Sequence, residues 1–136
     1  MDDATDDVKQ WLIRSQRDLK VAAVLLKSQE SLFDAVVYHC QQAAEKALKA
    51  YLTYQRVSFR KTHDLGLLVE LCLVSEPRFQ CLEDVADVLT PYATEFRYPG
   101  NIIEPERHEA EEALRMAASV VNLVTEALPD ELSNPG

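Results

Sequence analysis

Glycine is scarce in this chain: only three of the 136 residues are glycine, and four of the six prolines lie at or after Pro99. An all-β protein with many hairpins needs turn-forming residues throughout its length. Most of the sequence lacks such residues. The composition therefore excludes a hairpin-rich fold and favours helices.

Cysteine is also sparse. Cys40, Cys72 and Cys81 are an odd number with no C-x-x-C spacing, which indicates neither a disulfide framework nor a zinc site. The start of the chain is acidic where a signal peptide would be basic, and no apolar run is long enough to span a membrane. We therefore expect a cytoplasmic protein with reduced thiols, no metal and no membrane contact.

The chain also has fewer basic than acidic residues. Fourteen Lys and Arg face twenty-three Asp and Glu, which gives a net charge of -9 and a sequence pI near 4.7. Proteins that coat nucleic acid usually have the opposite balance, because phosphate contacts supply most of their affinity. Non-specific DNA binding is therefore not expected.

The residues that are present are typical of a folded domain, with 47% apolar and 27% charged residues. The length predicts one domain over residues 1–136. We expect its core at about residues 8–128, between a flexible acidic N-terminus and a proline-containing C-terminal tail.

Apolar residues recur at steps of three and four, which predicts helices. The expected helices are residues 6–28, 32–54, about 62–75, 79–90 and 105–128, with Thr62 as the cap of the third and Pro105 in the first turn of the last. The predicted fold class is all-α, an up-and-down antiparallel bundle of about five helices, three long and two short. The alanine-rich helix 32–54 is expected at its centre.

Three segments carry a specific resemblance. They are YHCQQAAEKALKAYL at 38–52, KTHDL at 61–65 and FRYP at 96–99. In this order and at these separations they resemble the landmarks of the HEPN family, over roughly residues 8–128. The resemblance implies a helical bundle that is usually paired as a homodimer.

HEPN proteins differ in activity: some are toxin ribonucleases, some are partners of a minimal nucleotidyltransferase, and others are thought to bind nucleotides or proteins. The ribonucleases carry an Arg, a spacer of four to six residues and a His near the start of the last long helix. After Arg97 the matching positions hold Ile102, Ile103 and Glu104. Arg56 and His63 have the spacing, but they lie elsewhere, between the second and third helices. We therefore assign no catalytic residue and expect no cofactor.

Basic residues cluster between helices two and three. Lys46, Lys49, Arg56, Arg60 and Lys61 occur with no acidic residue between the first and the last. Together with His63 at the start of the third helix, they could hold a phosphate. In the alternative interpretation, these cations simply complement the C-terminal dipole of the second helix.

Arg97 and Tyr98 precede the last helix. A guanidinium can bind a phosphate, and a tyrosine ring can stack on a base. Alternatively, Arg97 pairs with a buried carboxylate such as Glu45 while Tyr98 packs in the core. The ligand-binding candidates are Lys46, Lys49, Lys61, His63, Arg97 and Tyr98.

Three further expectations are structural. His39 is flanked by apolar positions, so a hydrogen-bonded packing role is favoured over catalysis. The acidic residues near the start of the last helix, with His108 among them, are expected to complement the helix dipole rather than to bind a metal. Apolar positions such as Val37, Leu73 and Val120 are expected to remain uncovered in one chain and to drive dimerisation.

The function favoured by these observations is a dimeric binding module. The resemblance implies nucleotide binding, or partnership with a nucleotidyltransferase in a toxin–antitoxin-like pair. The alternative is a metal-independent ribonuclease toxin.

Overall fold

The computed structural model describes residues 3–95 and 104–133 of the chain. Within these residues it contains six α-helices and two 3₁₀ turns but no β-strand, which confirms the all-α class. The helices are α1 (Asp3–Leu26), α2 (Phe33–Tyr54), α3 (Leu65–Leu73), α4 (Glu83–Leu89), α5 (Arg107–Ala127) and α6 (Asp130–Ser133). The 3₁₀ turns are Pro77–Leu82 and Thr90–Ala93.

Helix α2 is the centre of the bundle and packs against both α1 and α5. Its small residues Ala43, Ala44 and Ala47 are fully buried, so neighbouring backbones can approach closely. At the crossing with α1, the buried hydroxyl of Ser15 donates a hydrogen bond of 2.6 Å to the carbonyl oxygen of Ala43. The predicted central position of this helix is confirmed.

The short elements differ from the expectation. The predicted helix 79–90 begins instead as the 3₁₀ turn Pro77–Leu82, because Pro77 starts a tight turn and the Glu76 carboxylate accepts from the backbone N–H of Arg78. Pro105 lies before α5 rather than in its first turn, since Glu106 is the N-cap. The expectation of Pro105 inside the helix is therefore wrong.

The start of α3 also differs. Asp64, not Thr62, is the N-cap, because its carboxylate accepts from the backbone N–H of Leu67 at 3.3 Å. The Thr62 hydroxyl instead accepts from the N–H of Asp64 at 3.0 Å and shapes the turn before the helix. The prediction of a Thr62 cap is therefore wrong.

Helix α2 ends in a Schellman motif. The N–H of Val57 donates to the carbonyl of Leu52 and that of Arg56 to Thr53. Arg56 has φ 58°, in the left-handed region that usually favours glycine. The chain thus reverses towards α3 through a residue in a strained backbone conformation.

The apolar surface is not where the sequence predicts it. Val37 and Val120 are 0% and 2% exposed, so one chain already covers them, and Leu73 is partly buried. The expectation that these positions are uncovered is wrong for Val37 and Val120, because α2 and α5 turn these faces towards the core. Val24 and Val74 are exposed instead.

No helix among the described residues combines the length and apolar character needed to cross a bilayer. The three cysteines are free thiols, and Cys40 and Cys72 are buried while Cys81 is exposed. Burial raises the pKa of both buried thiols to about 12, since a thiolate is poorly solvated in the core.

Candidate functional site

A polar cluster crosses from the buried face of α2 to the loop before α3. We call Gln41, Glu45, Lys49 and His63 the Glu45 cluster. The first three are spaced by four residues, so they form one line along α2. Glu45 Oε2 accepts from Lys49 Nζ at 2.9 Å, and Glu45 Oε1 lies 2.7 Å from His63 Nδ1. One carboxylate therefore bridges a lysine and a histidine.

Lys49 is enclosed. Its side chain is only 9% exposed, and its Nζ lies 5.4 Å from the centroid of the Trp11 ring and 5.8 Å from that of Phe59. A cation over aromatic faces is attracted by the ring quadrupoles. The ammonium group is thus stabilised by one carboxylate and two rings, and it faces inward.

His63 is the exposed end of the cluster, with 61% of its side chain accessible. Helix α2 holds it twice, because Gln41 Nε2 donates to its backbone carbonyl at 3.0 Å and Glu45 holds its ring. An ionised carboxylate only accepts hydrogen bonds, so Nδ1 must be the protonated ring nitrogen. A neutral ring then has its lone pair on Nε2, and a protonated ring has an Nε2–H donor.

A second cluster joins α1 to α2. We call Asp18, His39 and Lys46 the Asp18 cluster. Asp18 Oδ1 lies 2.8 Å from His39 Nδ1, and its Oδ2 accepts from Lys46 Nζ at 2.6 Å. All three side chains are partly or largely buried between the helices. The expected hydrogen bond of His39 is present, and its packing role stays a prediction.

The structure therefore separates the predicted ligand-binding residues. Lys49 and His63 share the Glu45 cluster, whereas Lys46 belongs to the Asp18 cluster. Lys61 is exposed two residues before His63. Arg97 and Tyr98 lie outside the described residues, and so does the alternative pairing of Arg97 with Glu45.

The N-terminus of α3 already has partners for its backbone donors. The Thr90 hydroxyl accepts from the N–H of Leu65 at 3.1 Å, and the Asp64 carboxylate accepts from that of Leu67. A phosphate at this end would meet the negative charge of Asp64. An anion beside His63 would therefore depend on side chains rather than on these amides.

The acidic start of α5 has a local structural role. The carboxylate of Glu109 accepts from the backbone N–H of Glu106 at 2.9 Å, which caps the helix. His108 Nδ1 lies 3.2 Å from Glu106 Oε2. These three side chains are close enough to share a cation, but their positions at the helix start are accounted for by capping.

Sequence reasoning missed the roles of Gln41, Glu45 and Asp18. A signal was present for the first two, since Gln41, Glu45 and Lys49 repeat at i, i+4 and i+8 with complementary polar groups. Asp18 is 21 residues from His39 and 28 from Lys46, so only the packing of α1 on α2 reveals its partners.

This bundle and its landmarks define a known class of protein. A family model described as HEPN domain matches residues 8–128, and the chain belongs to that family. This chain is 30% identical over 139 aligned residues to a Methanocaldococcus jannaschii protein named "Putative toxin MJ1304". The alignment covers 90% of this chain and 89% of that protein.

Two solved structures have a similar fold. The crystal structure of TT1696 from Thermus thermophilus superposes with a TM-score of 0.72 and 28% identity, covering 89% of this chain and 98% of that one. ST0689, an archaeal HEPN homologue, gives a TM-score of 0.70 and 25% identity, covering 88% of this chain and 96% of that one.

Proposed function

We propose that this HEPN protein is a dimeric binding module that recognises a nucleotide through the surface around His63. The observation that supports this most strongly is an exposed imidazole held in one orientation by a buried carboxylate. Orienting an exposed ring in this way lowers the entropy that a ligand contact must overcome. A protonated ring would donate from Nε2 to a phosphate oxygen.

In this proposal the predicted ligand residues have different tasks. Lys61 and His63 contact the phosphates, together with Arg97, and Tyr98 stacks on the base. Lys49 acts through Glu45, because its enclosed ammonium holds that carboxylate in place. Lys46 fixes Asp18 between α1 and α2 and so supports the helix that carries the site.

Partnership is the second part of the proposal. The chain would work as a homodimer and as the partner of a minimal nucleotidyltransferase in a toxin–antitoxin-like pair. The toxin name of the M. jannaschii relative supports such a setting. The test is to co-express this chain with a nucleotidyltransferase encoded beside its gene. We expect the two proteins to co-purify. Sedimentation of the isolated chain as a monomer at micromolar concentration would contradict the dimer.

Titration calorimetry with ATP and GTP tests the ligand. Arg97→Ala is expected to weaken binding about tenfold or more, since losing a charge-assisted hydrogen bond costs about 1.5 to 3 kcal/mol. Arg78→Ala is the matched control, because Arg78 is an exposed arginine whose guanidinium pairs with Glu76. No heat at millimolar nucleotide, or equal weakening in both variants, would contradict the proposal.

A ribonuclease is the second candidate. The same geometry favours it, because a neutral His63 with Nδ1–H on Glu45 has an Nε2 lone pair that can take a proton. Arg56, which precedes His63 by a spacer of six residues, would then bind the phosphodiester. Incubation with single-stranded and structured RNA separates the candidates: cleavage that is lost in His63→Ala supports the nuclease, and intact RNA supports the binding module.

A further inference from the structure

The outer face of α1 has an unusual pattern of apolar and basic residues. Ile13 and Val24 are 39% and 61% exposed, and Arg17 and Lys20 lie between them. We call these four residues the α1 seam. Their spacing of four, three and four residues places them in one line along the helix. The two apolar ends are eleven residues apart, or about 16 Å at the rise of an α-helix.

The surface around the α1 seam is positive in a chain of net charge -9. Four exposed cations lie on and just after this stretch of α1: Arg14, Arg17, Lys20 and Lys27. Between Asp7 and Glu30 the only acidic residue is Asp18, whose carboxylate is turned inward to His39 and Lys46. Among the described residues, no carboxylate pairs with Arg17 or Lys20. The face therefore attracts negative charge.

The shape of the face favours a protein over a nucleic acid. A shallow depression of about 350 Å³ lies along it, lined by Arg17, Lys20, Val21, Val24 and Leu25. Three of its five lining residues are aliphatic. A phosphate group gains nothing from the exposed Val24 or the partly buried Val21 and Leu25, whereas an amphipathic helix can bury its apolar side chains on such a surface.

Pairing of α1 with α1 of a second copy does not fit the charges of the α1 seam. Antiparallel pairing of two α1 helices would place Arg17 of one copy beside Lys20 of the other, and parallel pairing would place equal cations side by side. Like charges facing each other across an interface are repulsive. The dimer of the proposed function would therefore not pair the two α1 seams with each other.

We propose that the α1 seam docks an amphipathic helix of a different polypeptide. Two apolar residues of that helix, eleven positions apart, contact Ile13 and Val24. Two acidic residues between them, Asp or Glu, pair with Arg17 and Lys20. This docking is independent of the nucleotide surface at His63.

A synthetic peptide tests the docking. The probe is a labelled, alanine-rich helical peptide of about 20 residues. It carries two leucines eleven positions apart and two glutamates between them, each four positions from the nearer leucine. Its binding to the full chain is followed by fluorescence anisotropy. We expect saturable binding by the wild type and loss of binding when both glutamates are replaced by lysine.

Variants of the chain locate the contact. The double variant Arg17→Glu, Lys20→Glu should bind the peptide at least about tenfold more weakly, and Val24→Ser should also weaken binding although its side chain is outside the core. The pair Arg60→Glu, Arg78→Glu has the same change in net charge and should bind like the wild type. ATP binding should be unchanged in the α1 variants, which separates this proposal from the nucleotide site.

Three results would overturn the inference. The first is no peptide binding at millimolar concentration, or equal binding of the lysine peptide. The second is tighter binding of a single-stranded RNA of about 20 nucleotides that is lost in the Arg17, Lys20 double variant, which would make the face a phosphate-binding surface. The third is a change in oligomeric state in that variant, which would assign the face to a second copy.

Discussion

The Asp18 and Glu45 clusters use the same three groups in different surroundings. In each, one carboxylate bridges a histidine Nδ1 and a lysine Nζ. In the Asp18 cluster the side chains of the histidine and lysine are 28% and 23% exposed, so water partly solvates both groups. In the Glu45 cluster the lysine is 9% exposed and the histidine 61%. The Glu45 cluster therefore exposes an oriented imidazole to solvent, whereas the Asp18 cluster connects two helices.

The largest expected effect is in the buried cluster. Glu45→Ala leaves the enclosed Lys49 ammonium without its carboxylate, and removing one partner of a buried ion pair typically costs about 3 to 5 kcal/mol. The free energy of unfolding, measured by urea denaturation, should fall by that amount. A loss below about 1 kcal/mol would show that the Trp11 and Phe59 rings alone can hold the lysine.

The matching change in the other cluster should be milder. Asp18→Ala removes the carboxylate that joins α1 to α2, but His39 and Lys46 can be solvated where they stand. We expect a loss of about 1 to 2 kcal/mol in the free energy of unfolding, in the same urea experiment. An Asp18→Ala cost equal to or above that of Glu45→Ala would break the comparison.

The two buried thiols can report on the two clusters separately. Cys40 follows His39 on α2, and Cys72 lies on α3, which begins directly after His63 and Asp64. At neutral pH a thiol reagent should label the exposed Cys81 first, because burial and a pKa of about 12 protect the other two. Asp18→Ala should speed labelling of Cys40, and Glu45→Ala that of Cys72, as read by peptide mass spectrometry. The reverse pattern would mean that the clusters do not act locally.

Those thiols also give a pH dependence with a definite sign. Their folded pKa of about 12 lies above the ordinary value of 9.0, so they ionise more readily in the unfolded chain. Their contribution is fully present below pH 9 and is lost as the pH rises towards 12. Replacing both Cys40 and Cys72 by alanine should flatten the alkaline part of the stability profile. An unchanged profile would assign the alkaline loss to other groups.

The smallest expected change in stability comes from a substitution in the segment that links α2 to His63. Arg56→Gly relieves the left-handed backbone at φ 58° and should stabilise the fold by about 0.5 to 1 kcal/mol, with both clusters intact. Arg56→Ala, which keeps a Cβ in the same conformation, is the control. Equal stability of the two variants would show that a Cβ in this left-handed conformation carries no measurable strain.

The helices were predictable because their apolar periodicity is local in sequence. The periods of α1, α2 and α5 come from residues a few positions apart, and the alanines of α2 indicated its central place. The N-cap at Asp64 was missed because Thr62 and Asp64 are both good capping residues, and only the turn geometry selects between them.

The candidate site was predictable only in part. Lys49 and His63 were identified from charge, but the sequence does not show that Trp11 and Phe59 enclose the lysine, since this depends on contacts across the bundle. The same holds for Lys46, which resembles a surface cation until α1 brings Asp18 to it. Long-range packing decides which cations remain available to a ligand.

The central claim is that His63 is a ligand-binding group, whereas His39 is structural. ATP titration calorimetry on His63→Gln and His39→Gln tests it most directly, with unfolding measured on the same samples. The account predicts that His63→Gln weakens ATP binding about tenfold or more with little change in stability, and that His39→Gln lowers stability while the folded protein binds ATP like the wild type. Equal ATP binding by wild type and His63→Gln would contradict it.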